Sequence, residues 1–279
     1  MPQITGRTKF LAHLGVPTES FKAPMIYNPF FEDRGIDAVV VPMGCEAGDL
    51  AVTLPALFRM RNIAGALITM PHKVSVVDLL DEVSITVKVC GSCNAVKRNA
   101  DGRLIGDMFD GVGFVRGMLN KGRTAKGASA LVVGSGGVGS AIAASLAGAG
   151  VGKLALYDAR PESANLLANK LKAAYPSLTL ETGSNDPTGF DIIVNATPIG
   201  MNPGDPLPMD TNRIAPSAFV GEVVMKSEET PFLAAARKIG CQTQIGTDML
   251  FEQIPAYLEF FGFPTTSAAE LQRLARIEY

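Results

Sequence analysis

Residues 130–139 read Ala-Leu-Val-Val-Gly-Ser-Gly-Gly-Val-Gly, and this stretch decides the fold. Its four apolar residues are typical of a buried parallel strand, and the small residues that follow predict a helix packed closely on a sheet. Glycines between such a strand and helix let the backbone approach a pyrophosphate, which the free N–H groups of the helix N-terminus bind. We therefore expect a cofactor-binding turn formed by Gly134, Gly136, Gly137, Val138 and Gly139.

The region downstream of this turn alternates strands and helices. Lys153–Tyr157 predicts the next strand, which ends at Asp158 about 20 residues further on, where a dinucleotide-binding domain carries an acidic residue. A helix is predicted at 162–174, with further strands at 191–195, 218–224 and 242–245. This alternation predicts a parallel, doubly wound Rossmann-type sheet.

The first ~110 residues predict a second α/β unit with its own alternation. Strand-like runs occupy 9–14, 38–42, 65–69 and 92–97, and helical runs occupy 50–60 and 74–80. Two amphipathic helices are predicted near the end, at 248–261 and 267–278. We expect one domain of residues 1–112 with 246–279, and a dinucleotide-binding domain of residues 113–245.

Composition excludes several classes of protein. The chain has 279 residues, 47% of them hydrophobic, and a formal net charge of −2, so no strongly basic field would attract nucleic acid or an anionic membrane. Its apolar runs are too short or too interrupted for a membrane span, and residues 1–5 lack the features of a signal peptide. We expect a cytoplasmic protein that binds small molecules, as a monomer or homodimer.

The four cysteines do not predict a metal site. Cys90 and Cys93 have the spacing of a CxxC pair, but zinc would need a second pair of ligands. His13 and His72 do not lie at metal-ligand spacing. The sequence favours two small residues beside a tight turn.

Several motifs occur in a specific order along nearly the whole chain. They are Thr69-Met70-Pro71-His72-Lys73, the turn at Gly91–Val96, the glycine-flanked bend at Gly106–Phe114, the loop at Asn195–Met201, and Met249-Leu250 with Gln253. In this order and spacing, the chain resembles the shikimate dehydrogenase family. The resemblance implies a substrate-binding catalytic domain formed by the two ends of the chain.

The resemblance also implies a reaction centre. Lys73 and Asp110 match the lysine and aspartate that act together on the substrate hydroxyl, where a positioned base receives the proton as hydride leaves. Thr69, Asn94 and Gln253 match residues that line the pocket or bind substrate hydroxyls. Taken alone, Lys73 reads as a surface lysine and Asp110 as a turn or helix-capping residue. Asn94 alone reads as a turn residue, and Gln253 as a surface helix residue.

The substrate pocket departs from the family pattern. In the first loop, Gly15–Asn28, the two serines that hold the substrate carboxylate are replaced by Phe21 and Ala23, and a histidine is replaced by Tyr27. Leu67 stands where the family has an asparagine. We expect a more apolar pocket, with Ser20 or Thr18 as the alternative source of a hydroxyl.

The cofactor site also departs from the family. Asp158-Ala159-Arg160 stands where the family has the residues that bind the 2′-phosphate of NADP. A carboxylate at this position would bind ribose hydroxyls and repel a 2′-phosphate. We expect NAD to be preferred. NADP is the alternative, because the positive charge of Arg160 would partly offset the repulsion between Asp158 and the 2′-phosphate. The resemblance places Thr197, Gly200, Met201 and Val223 beside the cofactor.

Together these features predict an oxidoreductase acting on a ring hydroxyl or ketone of a shikimate- or quinate-like polyol. The alternatives are a true but inefficient shikimate or quinate dehydrogenase, and a regulatory protein that binds a dinucleotide without turnover. Lys73 and Asp110 argue against the regulator, because a site without catalysis does not need the pair.

Overall fold

The computed structural model describes residues 4–225 and 229–277, and the chain divides into two units. Unit 1 contains the described residues within Met1–Val87, Gly91–Phe109 and Ile254–Tyr279. Unit 2 contains Lys88–Cys90 and the described residues within Asp110–Gln253. The main boundaries between the two units therefore fall after residues 109 and 253. The boundaries predicted from the sequence fall after residues 112 and 245.

Unit 1 is built on a six-stranded mixed sheet with the order β2-β1-β3-β5-β6-β4. β1 pairs in parallel with β2 and β3, whereas β5 pairs antiparallel with β3 and β6. The carboxyl ends of β1 and β3 therefore meet at one edge of the sheet. The strands are β1 Lys9–Gly15, β2 Ala38–Gly44, β3 Ile63–Ile68, β4 Glu82–Val83, β5 Ala95–Arg98 and β6 Leu104–Asp107.

Unit 2 is built on a six-stranded parallel sheet with the order β12-β11-β10-β7-β8-β9. Its strands are β7 Ser129–Val133, β8 Lys153–Tyr157, β9 Thr179–Thr182, β10 Ile192–Asn195, β11 Phe219–Glu222 and β12 Gln242–Gln244. β8 and β9 lie on one side of β7, and β10, β11 and β12 lie on the other, so the strand order changes direction between β7 and β10. Ligands of such sheets bind beyond the carboxyl ends of the strands at this point. The predicted fold class, a Rossmann-type sheet with a second α/β domain, is confirmed.

Helices of the described chain connect and cover these strands. They are α1 Ala23–Asp33, α2 Leu50–Leu57, α3 Ile85–Cys90, α4 Asp110–Asn120, α5 Gly137–Gly148, α6 Pro161–Ala174, α7 Pro231–Ile239, α8 Gly246–Phe261 and α9 Ala268–Leu274, with short 3₁₀ helices at Thr18–Ser20, Ser75–Leu79 and Thr211–Arg213. α3 and α8 each contribute residues to both units.

The core of unit 2 lies on both faces of its sheet. Alternate residues of a strand point to opposite faces, so Ala130 and Val132 pack in one apolar cluster while Leu131 and Val133 pack in another. Burial on both faces explains why β7 is a continuous apolar run.

The glycines beside Asp110 serve helix packing and do not form a bend, which corrects the sequence interpretation. Asp110 is the first residue of α4. A Cβ at Gly111 would overlap the carbonyl group of Ala141 in α5, and one at Gly113 would overlap the carbonyl oxygen of Met249 in α8. Only glycine permits these contacts, and they hold the start of α4 in place.

Other local predictions were wrong. The predicted loop at Gly15–Asn28 contains the start of α1, where Pro24 suits the first helical turn because its φ is already helical. The predicted helix at 74–80 is the short 3₁₀ helix Ser75–Leu79. The last predicted helix ends at Leu274, and Glu278 lies outside the described residues.

Within the described residues, no helix is long and apolar enough to cross a membrane. The same part of the chain holds no group of three or more His, Cys, Asp or Glu side chains arranged to bind a metal ion, and its four cysteines are not disulfide-bonded.

Candidate active site and cofactor site

The glycine turn between β7 and α5 has two kinds of glycine. Gly134 has a φ of +105°, and a Cβ there would lie 2.7 Å from the carbonyl oxygen of Ala196; one at Gly139 would overlap the carbonyl oxygen of Gly134. Gly136 and Gly137 instead face open space: apart from their neighbours along the chain, no atom of the described residues lies within 4 Å of a Cβ at either position. This open space lies at the N-terminus of α5, so the turn fits a pyrophosphate group.

Asp158 follows β8 and is fixed against the glycine turn. Its Oδ2 accepts a hydrogen bond from the Ser135 N–H at 2.7 Å, and its Oδ1 accepts one from the Arg160 N–H at 2.9 Å. The Asp158 side chain is 13% exposed, whereas that of Arg160 is 77% exposed and lies 3.8 Å away. A carboxylate with two backbone hydrogen bonds therefore lies beside the turn, with an exposed guanidinium group outside it.

The loop after β10 is closed by its own hydrogen bonds. The buried side chain of Asn195 accepts hydrogen bonds from the N–H of Thr197 at 3.1 Å and its hydroxyl at 2.6 Å, and donates one to the carbonyl of Ile199 at 3.0 Å. Gly200, with a φ of +100°, continues the loop to the exposed Met201. This loop lies beyond the carboxyl end of β10, where a Rossmann-type sheet binds its cofactor.

The segment after β11 runs beside this loop. The Val223 N–H donates to the carbonyl of Asn195 at 3.2 Å, which joins the two segments. Glu222 is fully buried, and burial raises the pKa of its carboxyl group, although the nearby side chains of Thr230 and Asn195 act in the opposite direction. Lys226 and Ser227, which follow this segment in the sequence, lie outside the described residues.

In unit 1, five residues lie together where β1 and β3 end; we call them the β1–β3 site. They are His13, Gly15, Phe21, Leu67 and Thr69. His13 is the register partner of Leu67, and the Thr69 N–H donates to the carbonyl of Leu14 at 3.0 Å. A Cβ at Gly15 would lie 2.5 Å from the Thr69 methyl and 3.2 Å from the Phe21 ring. Three residues predicted to line the substrate pocket are thus brought together.

Phe21 presents an aromatic ring to the β1–β3 site. It stacks on His13 with the ring centroids 4.0 Å apart, and it is 8% exposed. Ser20 is exposed and donates its hydroxyl to the carbonyl of Pro17 at 3.0 Å. Neither residue gives the site a hydroxyl group in the manner expected of the family's serines.

The other two substitutions of the first loop lie on α1. Ala23 is the first residue of the helix and is partly buried. Tyr27 is 2% exposed and packs edge-on against Phe31 with the ring centroids 6.1 Å apart. Burial raises the pKa of the Tyr27 phenol well above its ordinary value. The structure places Tyr27 in the core beneath the helix.

Lys73 lies in the loop after β3, where neighbouring contacts fix the backbone. The carbonyl of Lys73 accepts a hydrogen bond from the Cys93 N–H at 2.7 Å. The side chain of the adjacent His72 is fully buried, with its Nε2 2.7 Å from the Cys45 carbonyl oxygen. His72 therefore anchors the loop, and Lys73 is only partly buried.

Asn94 fixes the chain just before Asp110. Asn94 is 1% exposed, and its side-chain oxygen accepts a hydrogen bond from the Phe109 N–H at 2.9 Å. The Asn94 N–H donates to the carbonyl of Asp107 at 3.0 Å. Asn94 therefore has a structural role in unit 1, whatever else it binds.

Asp110 and Gln253 both belong to unit 2. Asp110 is 5% exposed at the start of α4, where the helix dipole favours a negative charge. Gln253, on α8, is 7% exposed, and its buried Oε1 has no hydrogen-bond partner among the described residues. A buried amide oxygen without a partner is uncommon, and a ligand hydroxyl would satisfy it.

Sequence reasoning missed His13 as a member of the site. Burial and the positive charge of Lys73 lower the pKa of its imidazole to about 4. The available signal was spacing, because His13 precedes Gly15 by two residues and the side chains of a strand alternate between faces.

Comparison with known proteins agrees with this geometry. A family model described as the shikimate dehydrogenase substrate binding domain matches residues 14–96. The shikimate dehydrogenase (NADP(+)) of Rhodospirillum rubrum is 34% identical over 267 residues, covering 93% of this chain and 94% of that protein. The chain belongs to the shikimate dehydrogenase family. It is an NAD(P)-dependent dehydrogenase, and the predictions of family and enzyme class are confirmed.

The structure of this chain is also similar to two solved structures whose names identify different substrates. The 5-ketofructose reductase of Gluconobacter sp. strain CHM43 has a TM-score of 0.89 at 26% identity, covering 97% of this chain and 98% of that one. The quinate dehydrogenase of Corynebacterium glutamicum, in complex with NAD, has a TM-score of 0.84 at 29% identity, covering 96% and 98%.

Proposed function

We propose that this enzyme transfers a hydride between NAD and a ring hydroxyl or ketone of a polyol that carries no carboxylate at the β1–β3 site. The polyol resembles shikimate or quinate in its hydroxyl groups. The observation that carries the proposal is the Phe21 ring, which covers Gly15 and stacks on His13 where the family pattern has a serine. A carboxylate beside this ring would lose its hydration without gaining a hydrogen bond from residue 21.

The 5-ketofructose reductase supports a neutral substrate. Its name identifies a keto sugar without a carboxylate as the substrate of a protein with the same fold and 26% identity to this chain. The fold therefore accommodates a neutral substrate as well as an acid.

Lys73 and Asp110 are proposed to move the hydroxyl proton. When bound, the nicotinamide ring accepts or supplies the hydride. As the carbinol carbon loses its hydride, its hydroxyl proton passes to the pair of Lys73 and Asp110, which returns it in the reverse direction. The fixed loop around Lys73 and the packed start of α4 support this role, because a base must be positioned before it can act.

Thr69, Asn94 and Gln253 are proposed to hold the remaining hydroxyl groups. The Oε1 of Gln253, which has no hydrogen-bond partner in the described part of the chain, would accept a hydrogen bond from one of them. Asn94 would bind a substrate hydroxyl group with its side-chain amide, whose oxygen also accepts the hydrogen bond from the Phe109 N–H.

The preference for NAD is proposed from Asp158. Its carboxylate is fixed by two backbone N–H groups, so it would accept hydrogen bonds from ribose hydroxyls and repel a 2′-phosphate. The curated relatives are named for NADP(+), whereas the related quinate dehydrogenase was solved with NAD. The proposal therefore separates this chain from the relatives named for NADP(+).

A second candidate is an inefficient shikimate or quinate dehydrogenase. The names of the curated relatives and the 29% identity to quinate dehydrogenase favour it. The two candidates differ in whether the best substrate carries a carboxylate.

A turnover assay tests the proposed function. Nicotinamide absorbance is followed with shikimate, quinate, 5-ketofructose and a carboxylate-free cyclic polyol, each with NAD and NADP in the appropriate redox state. We expect the neutral substrates and NAD to give the highest kcat/KM. Lys73→Ala should abolish most of this turnover, while Lys88→Ala, an exposed lysine on α3, should retain it. Turnover of the acids alone would refute the proposed substrate class.

A further inference from the structure

His13 has hydrogen-bonding capacity that the described protein does not use. Its Nδ1 is buried and has no hydrogen-bond partner in the described part of the chain, yet the residue as a whole is only partly buried. Buried polar atoms are almost always paired, so an unpaired ring nitrogen at the β1–β3 site, where we propose that substrate binds, suggests that a ligand provides the partner.

The ring of His13 is held in a fixed orientation. Phe21 stacks on one face, with an interplanar angle of 28°, and the strand pairing sets Leu67 beside it. His13 and Gly15 point to the same face of the sheet because they are two residues apart in β1. The imidazole therefore lies at the same end of β1 as Phe21, which replaces one of the family's carboxylate-binding serines.

The charge state of His13 suits a neutral partner. With its pKa lowered to about 4 by burial and by Lys73, the imidazole is uncharged at neutral pH. An uncharged imidazole has one donor and one acceptor nitrogen, and a hydroxyl group can match either of them. A carboxylate only accepts hydrogen bonds, and it would gain no ion pair from this ring.

We propose that His13 is a substrate-binding and specificity-determining residue, which hydrogen-bonds a hydroxyl group of the neutral polyol at the β1–β3 site. His13 thus takes the place of the missing serines, with Phe21 as its support. This inference rests on the proposed neutral substrate, and it adds the group that recognises that substrate.

Nuclear magnetic resonance of the full chain tests this contact directly. The chain has two histidines, and the fully buried His72, bound to the Cys45 carbonyl, is an internal control. The protein is labelled with ¹⁵N-histidine, and the signals of the ring nitrogens are followed in the presence of NAD⁺ as 5-ketofructose is added. This pair is chosen because a ketone and an oxidised cofactor cannot exchange a hydride, so the complex does not react. We expect the His13 signals to shift and saturate while those of His72 stay. Shikimate with NADH should cause no such shift of His13.

Two variants separate recognition from folding. His13→Val introduces an apolar residue that suits a β-strand and has no polar side-chain group. His13→Asn keeps a donor and an acceptor near the position of Nδ1. Losing one neutral hydrogen bond should raise the KM for 5-ketofructose roughly two- to tenfold, with kcat little changed. His13→Asn should recover part of this loss, and NADH affinity should be unchanged in both variants.

The outcomes distinguish this inference from the proposed function. If wild type reduces 5-ketofructose but His13→Val does so with an unchanged KM, or if the His13 signals do not move, the inference is wrong and the proposed function stands. If shikimate alone binds, or if none of the probes binds, the proposed function and the inference fail together.

Discussion

Replacing Phe21 and Ala23 with serine should create shikimate activity. A hydrogen bond to a charged group is worth about 1.5–3 kcal/mol, so two of them would contribute roughly 3–6 kcal/mol. At about 1.4 kcal/mol per factor of ten, two fully formed hydrogen bonds would raise kcat/KM for shikimate by roughly 10²–10⁴. Since Phe21 is 8% exposed and stacks on His13, its loss should also destabilise the fold by about 3 kcal/mol.

The assay for this double variant is steady-state oxidation of shikimate with NAD, together with thermal unfolding to verify that the protein is folded. Phe21→Ala is the matched control, because it opens the same space without providing a hydroxyl. We expect Phe21→Ala to gain little and the double variant to gain at least about tenfold. An equal gain in both would show that space alone limits shikimate. No gain in a folded double variant would show that other groups bind the carboxylate.

Four further predictions follow from the reaction centre, the cofactor site and His13. Lys73→Ala and Asp110→Ala should each lower kcat by roughly 10²–10⁴ with a small change in KM; a wild-type kcat in either would remove that residue from the mechanism. Asp158→Ser should narrow the preference for NAD over NADP, measured as a ratio of kcat/KM, and a wild-type preference for NADP would contradict the role of Asp158. Gly136→Ala should keep a wild-type melting temperature but weaken NADH binding, because its methyl group would enter open space at the turn; unchanged binding would mean that the pyrophosphate lies elsewhere. The pKa of His13 is lowered from 6.5 to about 4, so between pH 4 and pH 6.5 the unfolded state binds more protons than the folded state. The free energy of unfolding should therefore rise by up to ~3 kcal/mol as the pH is raised from 4 to 6.5. His13→Val should remove this rise in denaturant titrations at several pH values, and an equal rise in the variant would refute it.

The Rossmann-type unit could be predicted from the sequence because the patterns that indicate it lie within short segments of the chain. The apolar run of β7 and the glycines that follow it report burial on both faces and a close backbone turn, and both are properties of neighbouring residues. Asp158 could also be predicted, because its distance from the turn follows from the lengths of one helix and one strand.

Features that depend on packing were not readable. Gly111 and Gly113 are typical of a bend by composition, but they lie in α4, where the absence of a side chain permits close contacts with α5 and α8. α1 was missed because a proline-containing segment with no clear helical period reads as a loop. His13 was missed because it lies in an apolar strand, and its relation to Phe21 and Lys73 appears only in three dimensions.

The central claim is that the substrate carries no carboxylate at the β1–β3 site, and one comparison of wild-type kinetics tests it most directly. The kcat/KM for 5-ketofructose with NADH is measured beside the kcat/KM for shikimate with NAD⁺ under matched conditions. The absence of two charge-assisted hydrogen bonds predicts a preference for the neutral substrate of at least about 100-fold. A kcat/KM for shikimate equal to or above that for 5-ketofructose would contradict the claim.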